Sequence, residues 1–176
     1  MLKPFKVGNV IFGGAQTVMI AEAGVNHLGS IENGRKLIEA AARAGADIVK
    51  FQTYKADKLT TRDAPRFWTW DGEVDKAGSQ YDSYSLLDQF DYDEHLQLKK
   101  ICDDAKIEFM STPFDNESVD MLLRVGVNGF KIASCDLTNF GLLEHVSGTG
   151  LPIILSTGAS RLDEIQETVE FINSVG

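Results

Sequence analysis

Five apolar segments of this chain each deliver residues that are wrong for a core and right for chemistry. Residues 18–21 run into Glu22, residues 47–52 carry Lys50 and Gln52, residues 107–110 lead to Ser111 and Thr112, residues 129–133 carry Lys131 and lead to Ser134, and residues 152–155 lead to Ser156 and Thr157. Lys50 and Gln52 are two apart, so on an extended segment their side chains share one face. A lysine inside an apolar strand needs a negative partner, because burying an unpaired ammonium is costly. Two readings follow for Lys50 and Lys131. Each pairs with Glu22 or another acid of the protein, or the two cations converge on a phosphate or carboxylate, with serine and threonine hydroxyls completing the cradle. Glu22 is then either the counter-ion of the lysines or a working acid. Ser-Thr-Pro and Ser-Thr-Gly taken singly are ordinary turn formers; their weight lies in the repetition at successive strand ends.

The remaining reactive side chains say less. His27, beside Asn26, has either a structural hydrogen-bonding role or a contact to substrate. His95 and His145 fall on helical stretches and are expected to be surface or packing residues. Histidines and acids show no metal-ligand spacing. Of the two cysteines, Cys102 falls on an apolar helical face, as a buried inert thiol does. Cys135 sits at a strand end, where it is either buried or in contact with a ligand.

The elements that must position these residues alternate. A hairpin is expected within residues 5–18, around Gly13 and Gly14, and then a strand at residues 18–21. Helices are expected to begin at Ser30 (Leu37, Ile38, Ala41 and Ala42 on one face, Gly45 as stop), at Asp91 with Glu94 as a capping box, at Asp115 (Val119, Leu122 and Leu123, stopped by Gly126), at Asn139, and at Ser160 (Ile165, Thr168, Val169 and Ile172). Between them lie the strands at residues 47–52, 107–110, 129–133 and 152–155, too apolar to face water on either side. Strands alternating with helices imply a parallel sheet. A doubly wound sheet announces itself by a Gly-rich turn after its first strand, which Glu22-Ala-Gly-Val-Asn-His is not. The pattern therefore predicts a (β/α)8 barrel, of which the chain holds about five βα units, since a whole barrel takes roughly 250 residues. The carboxyl ends of barrel strands form one mouth, the usual active site. Residues 53–90 form a long polar and aromatic connection with Trp68, Trp70, Tyr81 and Tyr84. A connection of that length and content is expected to act as a lid or partner surface over the mouth.

Composition bounds the function. The 176 residues suffice for one domain with a sizeable core, and 43% hydrophobic with 24% charged residues is ordinary for a globular protein. A net charge of −9 argues against nucleic acid or an anionic membrane as partner, both of which favour a basic surface. It leaves room for a small basic pocket that takes an anionic substrate. The first residues lack the apolar run of a signal peptide, and no stretch reaches the roughly 20 apolar residues of a membrane span, so a cytoplasmic protein is expected.

Glu22-Ala-Gly-Val-Asn-His-Leu-Gly, Val49-Lys-Phe-Gln-Thr, Met110-Ser-Thr-Pro-Phe, Phe130-Lys-Ile-Ala-Ser and Leu155-Ser-Thr-Gly-Ala, in this order, resemble the N-acetylneuraminate (sialic acid) synthase family. The resemblance runs from about Val18 to the end of the chain. It implies a (β/α)8 barrel followed by a small antifreeze-protein-like domain that reaches into the active site of the partner subunit of a homodimer. It implies condensation of phosphoenolpyruvate with an N-acetylated hexosamine, N-acetylmannosamine or its 6-phosphate, with water consumed and phosphate released. A divalent metal, Mn2+ or Mg2+, is implied as well, with its ligands on later strands. By the same resemblance Lys50, Thr112, Lys131, Ser134 and Ser156 look like the phosphoenolpyruvate cradle, and Glu22 looks like the acid near the reacting end of the sugar. Gln52 joins the substrate-binding set, with Phe114 and Asp136 as sugar-side contacts. Where the family more often has Gly-Glu, this chain has Cys135-Asp136, and the shorter acid leaves the sugar open.

Three alternatives stand beside this reading: a legionaminic or pseudaminic acid synthase of the same family, a non-catalytic sugar-phosphate-binding domain, and an aldolase with Lys131 as Schiff-base nucleophile. On the resemblance, the chain is expected to be the N-terminal part of a synthase. Residues 1–176 alone are then expected to release no phosphate from phosphoenolpyruvate when amino sugar and manganese are added. Robust sugar-dependent phosphate release by that segment would contradict this.

Overall fold

A computed structural model describes residues 3–67, 69 and 77–176. The chain opens with an antiparallel hairpin, β1 (Phe5–Val7) and β2 (Val10–Phe12), within the expected span, but it turns at Gly8, which takes φ of 56°, and Asn9 instead of at Gly13 and Gly14. Then β3 (Ile20–Gly24), β4 (Ile48–Thr53) and β5 (Glu108–Pro113) lie side by side in chain order, all parallel. A second parallel pair, β6 (Phe130–Ile132) and β7 (Ile153–Leu155), follows, with β6 against β5 but not joined to it in one ladder. Helices α1 (Ile31–Arg43), α4 (Tyr92–Ala105), α5 (Asn116–Val125) and α6 (Phe140–Ser147) connect successive strands, and α7 (Leu162–Val175) follows β7. Two short helices, α2 (Ala56–Leu59) and α3 (Gln80–Ser85), lie in the long connection after β4.

The strands have two faces of different chemistry. One carries Val49, Phe51, Phe109, Phe130 and Ile132, packed on Ile38, Leu98, Leu122, Leu143 and Val146 of the helices. Full burial of one such side chain contributes about 1.5–3 kcal/mol, so this seam holds the helices to the sheet. The opposite face begins with Ile20, Ile48, Met110 and Ile154, which pack against Val7, Val10 and Phe12 of the hairpin. The hairpin therefore closes that face at the end where the strands begin. Two residues further along, the same alternation presents Glu22, Lys50, Thr112 and Ser156, and Gln52 lies two beyond Lys50.

The helix ends follow local chemistry. Ser30, Asp115 and Asn139 accept from the amides of Asn33 (3.3 Å), Ser118 (2.8 Å) and Leu142 (3.3 Å), and the Asp91 amide donates to Glu94 (3.0 Å). Helices α1 and α5 stop where Gly45 and Gly126 take φ of 81° and 89°. One expected boundary moves. Helix α7 starts after Arg161, not at Ser160, because the Ser160 hydroxyl is engaged by the Gly158 carbonyl (3.2 Å) while the Arg161 amide donates to Glu164 (2.8 Å). Val169, expected on the inner face of that helix, is 45% exposed, whereas Thr168 is buried and donates to the Leu137 carbonyl (2.8 Å).

The long connection is tied at its two ends. Lys55 donates to the carbonyls of Asp88 (2.9 Å) and Phe90 (3.4 Å) and pairs with Asp91 (2.8 Å), while Asp88 accepts from the Ala56 amide (2.7 Å). Trp68 and Trp70 lie outside the described residues. No helix among the described residues is long and apolar enough to cross a membrane.

Two histidines are sealed between strands and helices. His95, expected at the surface or in packing, is 3% exposed and does more than pack. Its Nδ1 meets the Asp91 carbonyl (2.8 Å) and its Nε2 the Thr53 hydroxyl (2.9 Å), which in turn meets Ser111 (2.7 Å). Donation to the Asp91 carbonyl leaves Nε2 to accept, the neutral tautomer. His27 is 3% exposed, stacks on Phe90 at 4.0 Å between centroids, and accepts from the Gly29 amide at Nδ1 (3.2 Å). Burial, and secondarily His95, lower its pKa to about 4. The neutral ring is thus the folded form, while the unfolded chain takes up a proton below about pH 6.5. Stability is therefore full above pH 6.5 and falls as pH drops toward 4, by on the order of 2–3 kcal/mol from this ring. Urea midpoints measured from pH 7.5 to 4 for the protein and for His27→Asn are expected to converge on acidification. A gap that stays constant across that range would show that His27 is not the acid-sensitive group.

Candidate active site

Glu22 and Lys50 stand opposite each other in the β3–β4 register, and their carboxylate and ammonium form an ion pair. The Lys50 side chain is 13% exposed and that of Glu22 is 50% exposed, so the acid reaches outward from the cation it binds. The pairing depends on a break in the ladder. The register shifts between Glu22 and Gly24, and Gly24 takes φ of 56° with room for a Cβ only 3.3 Å from the Glu22 carboxylate. A side chain there would be strained and would crowd the acid. Lys50 also donates to Thr112 on β5 at 3.5 Å.

Lys131 lies on β6 in register with Ile154 of β7, on the face opposite the helices. Its ammonium donates to the Ile132 carbonyl (2.6 Å) and to the Ser156 hydroxyl. Burial, and then the charge of Lys50, hold Lys131 below the ordinary lysine range, with Glu22 and Cys135 opposing. The two cations lie on the same strand face, on β4 and β6 either side of β5. Two ammonium groups and one carboxylate on this face leave one positive charge in excess, in a site half withdrawn from water. Such a site takes an anion.

Above this cluster, beyond the carboxyl ends of the strands, opens a cavity of about 610 Å3, within the range of small-molecule sites. Gln52, Ala133 and Cys135 line its near side. Asn26, Val25 and Leu28 come from the turn after β3, Leu59 from α2, and Ser83, Tyr84 and Leu87 from in and just after α3. Tyr54 joins them, with its ring edge-on to Tyr84 (5.6 Å) and to Phe114 (5.9 Å), itself a wall residue. Burial, and secondarily Asp88, push the Tyr54 hydroxyl above its ordinary range. The parts of the long connection that flank residues 68–76 therefore form one wall of the cavity.

Not all the residues expected together are together. Glu22, Lys50, Thr112, Lys131 and Ser156 form one linked set, and Gln52 and Phe114 face the cavity. Ser134 faces a shallower hollow beside Gly158. Asp136 is in a 3-10 turn at residues 134–136 that the sequence did not announce, and its carboxylate is engaged by Asn139 (3.1 Å) and Cys135 (3.5 Å) instead of lining the cavity. Cys102 is buried, its thiol pushed up to about 12, first by burial. His145 meets Asp120 at 2.7 Å on the surface. Tyr54, Leu28 and Leu87 carried no signal as wall residues. Their contribution comes from how turns fold over the strand ends, although Tyr84 lay in the aromatic connection already singled out. Among the described residues, no group of three or more His, Cys, Asp or Glu is arranged to hold a metal ion.

Known proteins share this sequence pattern and fold. The N,N'-diacetyllegionaminic acid synthase of Legionella pneumophila is 38% identical over 154 residues, 88% of this chain and 43% of that protein. The N-acetylneuraminate-9-phosphate synthase of Drosophila melanogaster is 31% identical over 159 residues, 90% of this chain and 42% of that protein. The crystal structure of the N-acetylneuraminic acid (sialic acid) synthetase of Leptospira borgpetersenii, in complex with citrate, superposes with a TM-score of 0.80 at 33% identity, covering 98% of this chain and 55% of that one. The chain thus spans about half the length of the relatives it matches. The model of the NeuB family matches residues 37–176, which hold β4 to β7 and every cluster residue except Glu22. With the strand-end cluster, the shared fold and this match in agreement, the chain belongs to the NeuB family.

Proposed function

We propose that this chain forms the phosphoenolpyruvate-binding part of a sialic acid synthase-like enzyme, and that its five parallel strands are the first five of a (β/α)8 barrel. The observation that carries the reading is the pair of cations: Lys50 and Lys131 sit on separate strands on the same face, each at least half withdrawn from water, and Glu22 pairs with Lys50. Phosphoenolpyruvate brings a carboxylate and a phosphate, two anionic groups for two cations, and the hydroxyls of Thr112 and Ser156 stand beside the two ammonium groups.

Held there, phosphoenolpyruvate presents C3 toward the cavity, where an open-chain N-acetylated hexosamine places its aldehyde. The enol π electrons form the C3–C1 bond, and the aldehyde oxygen takes up a proton. Water adds at C2, and the tetrahedral intermediate breaks its C2–O bond to release phosphate. Glu22, paired with Lys50 and half-exposed, takes the proton that the incoming water sheds. Gln52 and Phe114 contact the sugar. The divalent metal associated with such synthases finds no ligand cluster among the described residues, and the steps assigned to this chain are those of binding, orientation and proton transfer.

A second reading within the same chemistry, a legionaminic acid synthase, is favoured by the 38% identity to the Legionella enzyme. An aldolase with Lys131 as Schiff-base nucleophile fits less well, because that ammonium is already committed to the Ile132 carbonyl and Ser156. Borohydride in the presence of substrate is expected to trap no adduct.

Replacing Lys50 or Lys131 by Met in the full-length protein is expected to weaken phosphoenolpyruvate binding about ten- to a hundredfold, since a hydrogen bond to a charged group contributes roughly 1.5–3 kcal/mol. Sugar affinity is expected to change much less. Arginine at either position is expected to restore binding only partly, because a planar guanidinium does not occupy the position of an ammonium. Calorimetric titration with each ligand separately measures both. Unchanged phosphoenolpyruvate affinity in both Met variants, with catalysis lost, would assign the lysines a chemical role and overturn the binding reading.

A further inference from the structure

The mouth ends of β4 and β5 have little backbone pairing to hold them. The ladder from β4 to β3 ends at Phe51 and Gly24, so Gln52 and Thr53 pair with β5 alone, opposite Thr112 and Pro113. Proline has no N–H to donate, and the Thr53 carbonyl accepts instead from the Phe114 amide at 3.3 Å. On its other side β5 has no ladder to β6. Packing is incomplete there as well: a hollow of about 10 Å3 is lined by Gln52, Thr53, Tyr54, Asp88, His27 and His95, among others. Groups that border a void lose the contacts that would pin them. Yet these strand ends carry two residues of the candidate site, Gln52 at the cavity and Thr112 beside Lys50.

A directed run of side-chain hydrogen bonds lies behind them. The His95 Nδ1–H donates to the Asp91 carbonyl (2.8 Å), so Nε2 accepts from the Thr53 hydroxyl (2.9 Å). Thr53, its one proton given to the ring, accepts from Ser111 (2.7 Å). Burial holds the His95 ring below the ordinary histidine range, against the opposing bond to the Asp91 carbonyl, and so keeps this neutral form. Thr53 follows Gln52 and Ser111 precedes Thr112, and neighbours on a strand point to opposite faces. The run is anchored on α4, whose Leu98, Ile101 and Cys102 are core residues. We infer that His95 is a positioning residue of the site: through Thr53 and Ser111 it fixes the ends of β4 and β5, and so sets Gln52 at the cavity against Thr112 beside Lys50. The inference rests on the synthase reading above, because it supposes that two substrates held at these strand ends must meet. Breaking the run shifts one set of contacts against the other. Rate then suffers more than affinity, since a misplacement of about 1 Å can lower it by roughly a hundredfold.

The test follows phosphate release from phosphoenolpyruvate by the full-length protein, with N-acetylmannosamine and a di-N-acetylated hexosamine as alternative sugars, and urea midpoints of the same variants. Thr53→Val removes the hydroxyl at nearly constant volume. It is expected to lower kcat by about ten- to a hundredfold with little change in either KM, and Thr53→Ser is expected to recover most of the loss. His95→Asn keeps a donor for the Asp91 carbonyl but falls short of Thr53, whereas His95→Gln can place its carbonyl oxygen where Nε2 stands. The Asn variant is therefore expected to behave like Thr53→Val, and the Gln variant to retain more activity than the Asn variant at equal or lower stability. Thr53→Val combined with His95→Asn is expected to be no slower than either alone, because both break one run. Unchanged kcat in the single variants, losses that multiply in the double variant, or kcat that follows stability regardless of which bond is kept would overturn the inference. Should Thr53→Val fail to fold, the His95→Gln and His95→Asn pair decides in the same way. Phosphate release with neither sugar by the unaltered protein would sink the synthase reading, and the inference with it.

Discussion

Two lysine ammonium groups and one carboxylate share the face of the parallel strands that lies opposite the helices, and much of the surrounding structure serves to keep them there. Like charges in a half-buried site repel, and burial alone disfavours the charged form. Lys50 meets this constraint through Glu22 across the β3–β4 register, and Lys131 through the Ile132 carbonyl and the Ser156 hydroxyl. The shift of register at Gly24 lets the acid stand opposite its lysine while the chain turns away toward the cavity. The strands must be rigid for this, and their other face supplies the rigidity: Phe51, Phe109 and Phe130 are anchored in the helix layer.

The same parallel strands separate stability from chemistry along their length. At the end where they begin, the hairpin residues Val7, Val10 and Phe12 cover Ile20, Ile48 and Met110. Two residues further on, the same face turns polar, and beyond it the loops take over. Burial is thus greatest where nothing reacts. Charge is concentrated where water can be displaced by a ligand but not by the protein itself. Behind the strand that holds Lys50 and Gln52, the buried run from Ser111 through Thr53 to His95 and the Asp91 carbonyl ties two strands to the start of α4. It satisfies polar groups that would otherwise be costly in that layer, and it fixes the helix whose N-terminus adjoins the base of the long connection.

The long connection couples the site to its own fold. Lys55 gathers the Asp88 and Phe90 carbonyls and the Asp91 carboxylate at one point, so the chain leaves β4 and returns to α4 through a closed neck. From that neck, Tyr54, Tyr84 and Leu87 reach over the strand ends and make an uncharged wall facing the charged floor. The cavity thus has an ionic base and an apolar side, two ends of different chemistry.

The sequence by itself determined the alternation of parallel strands with helices, most helix boundaries, and that Glu22, Lys50, Thr112, Lys131 and Ser156 fall at or near strand ends. These depend on local rules: period-two alternation puts Lys50 and Gln52 on one face, and caps such as Ser30, Asp115 and Asn139 act on amides three residues away. Tertiary structure alone decided that Asp136 turns to Asn139 and Cys135 instead of the cavity, that Ser134 faces Gly158, and that His95 lies buried against Thr53. It also decided that Leu28, Tyr54 and Leu87 form the wall. The physical reason is the same for all of them. Each is placed by a turn or a loop, where direction depends on which distant groups satisfy a few polar atoms and cover a few apolar ones, and residue type and spacing do not encode those partners.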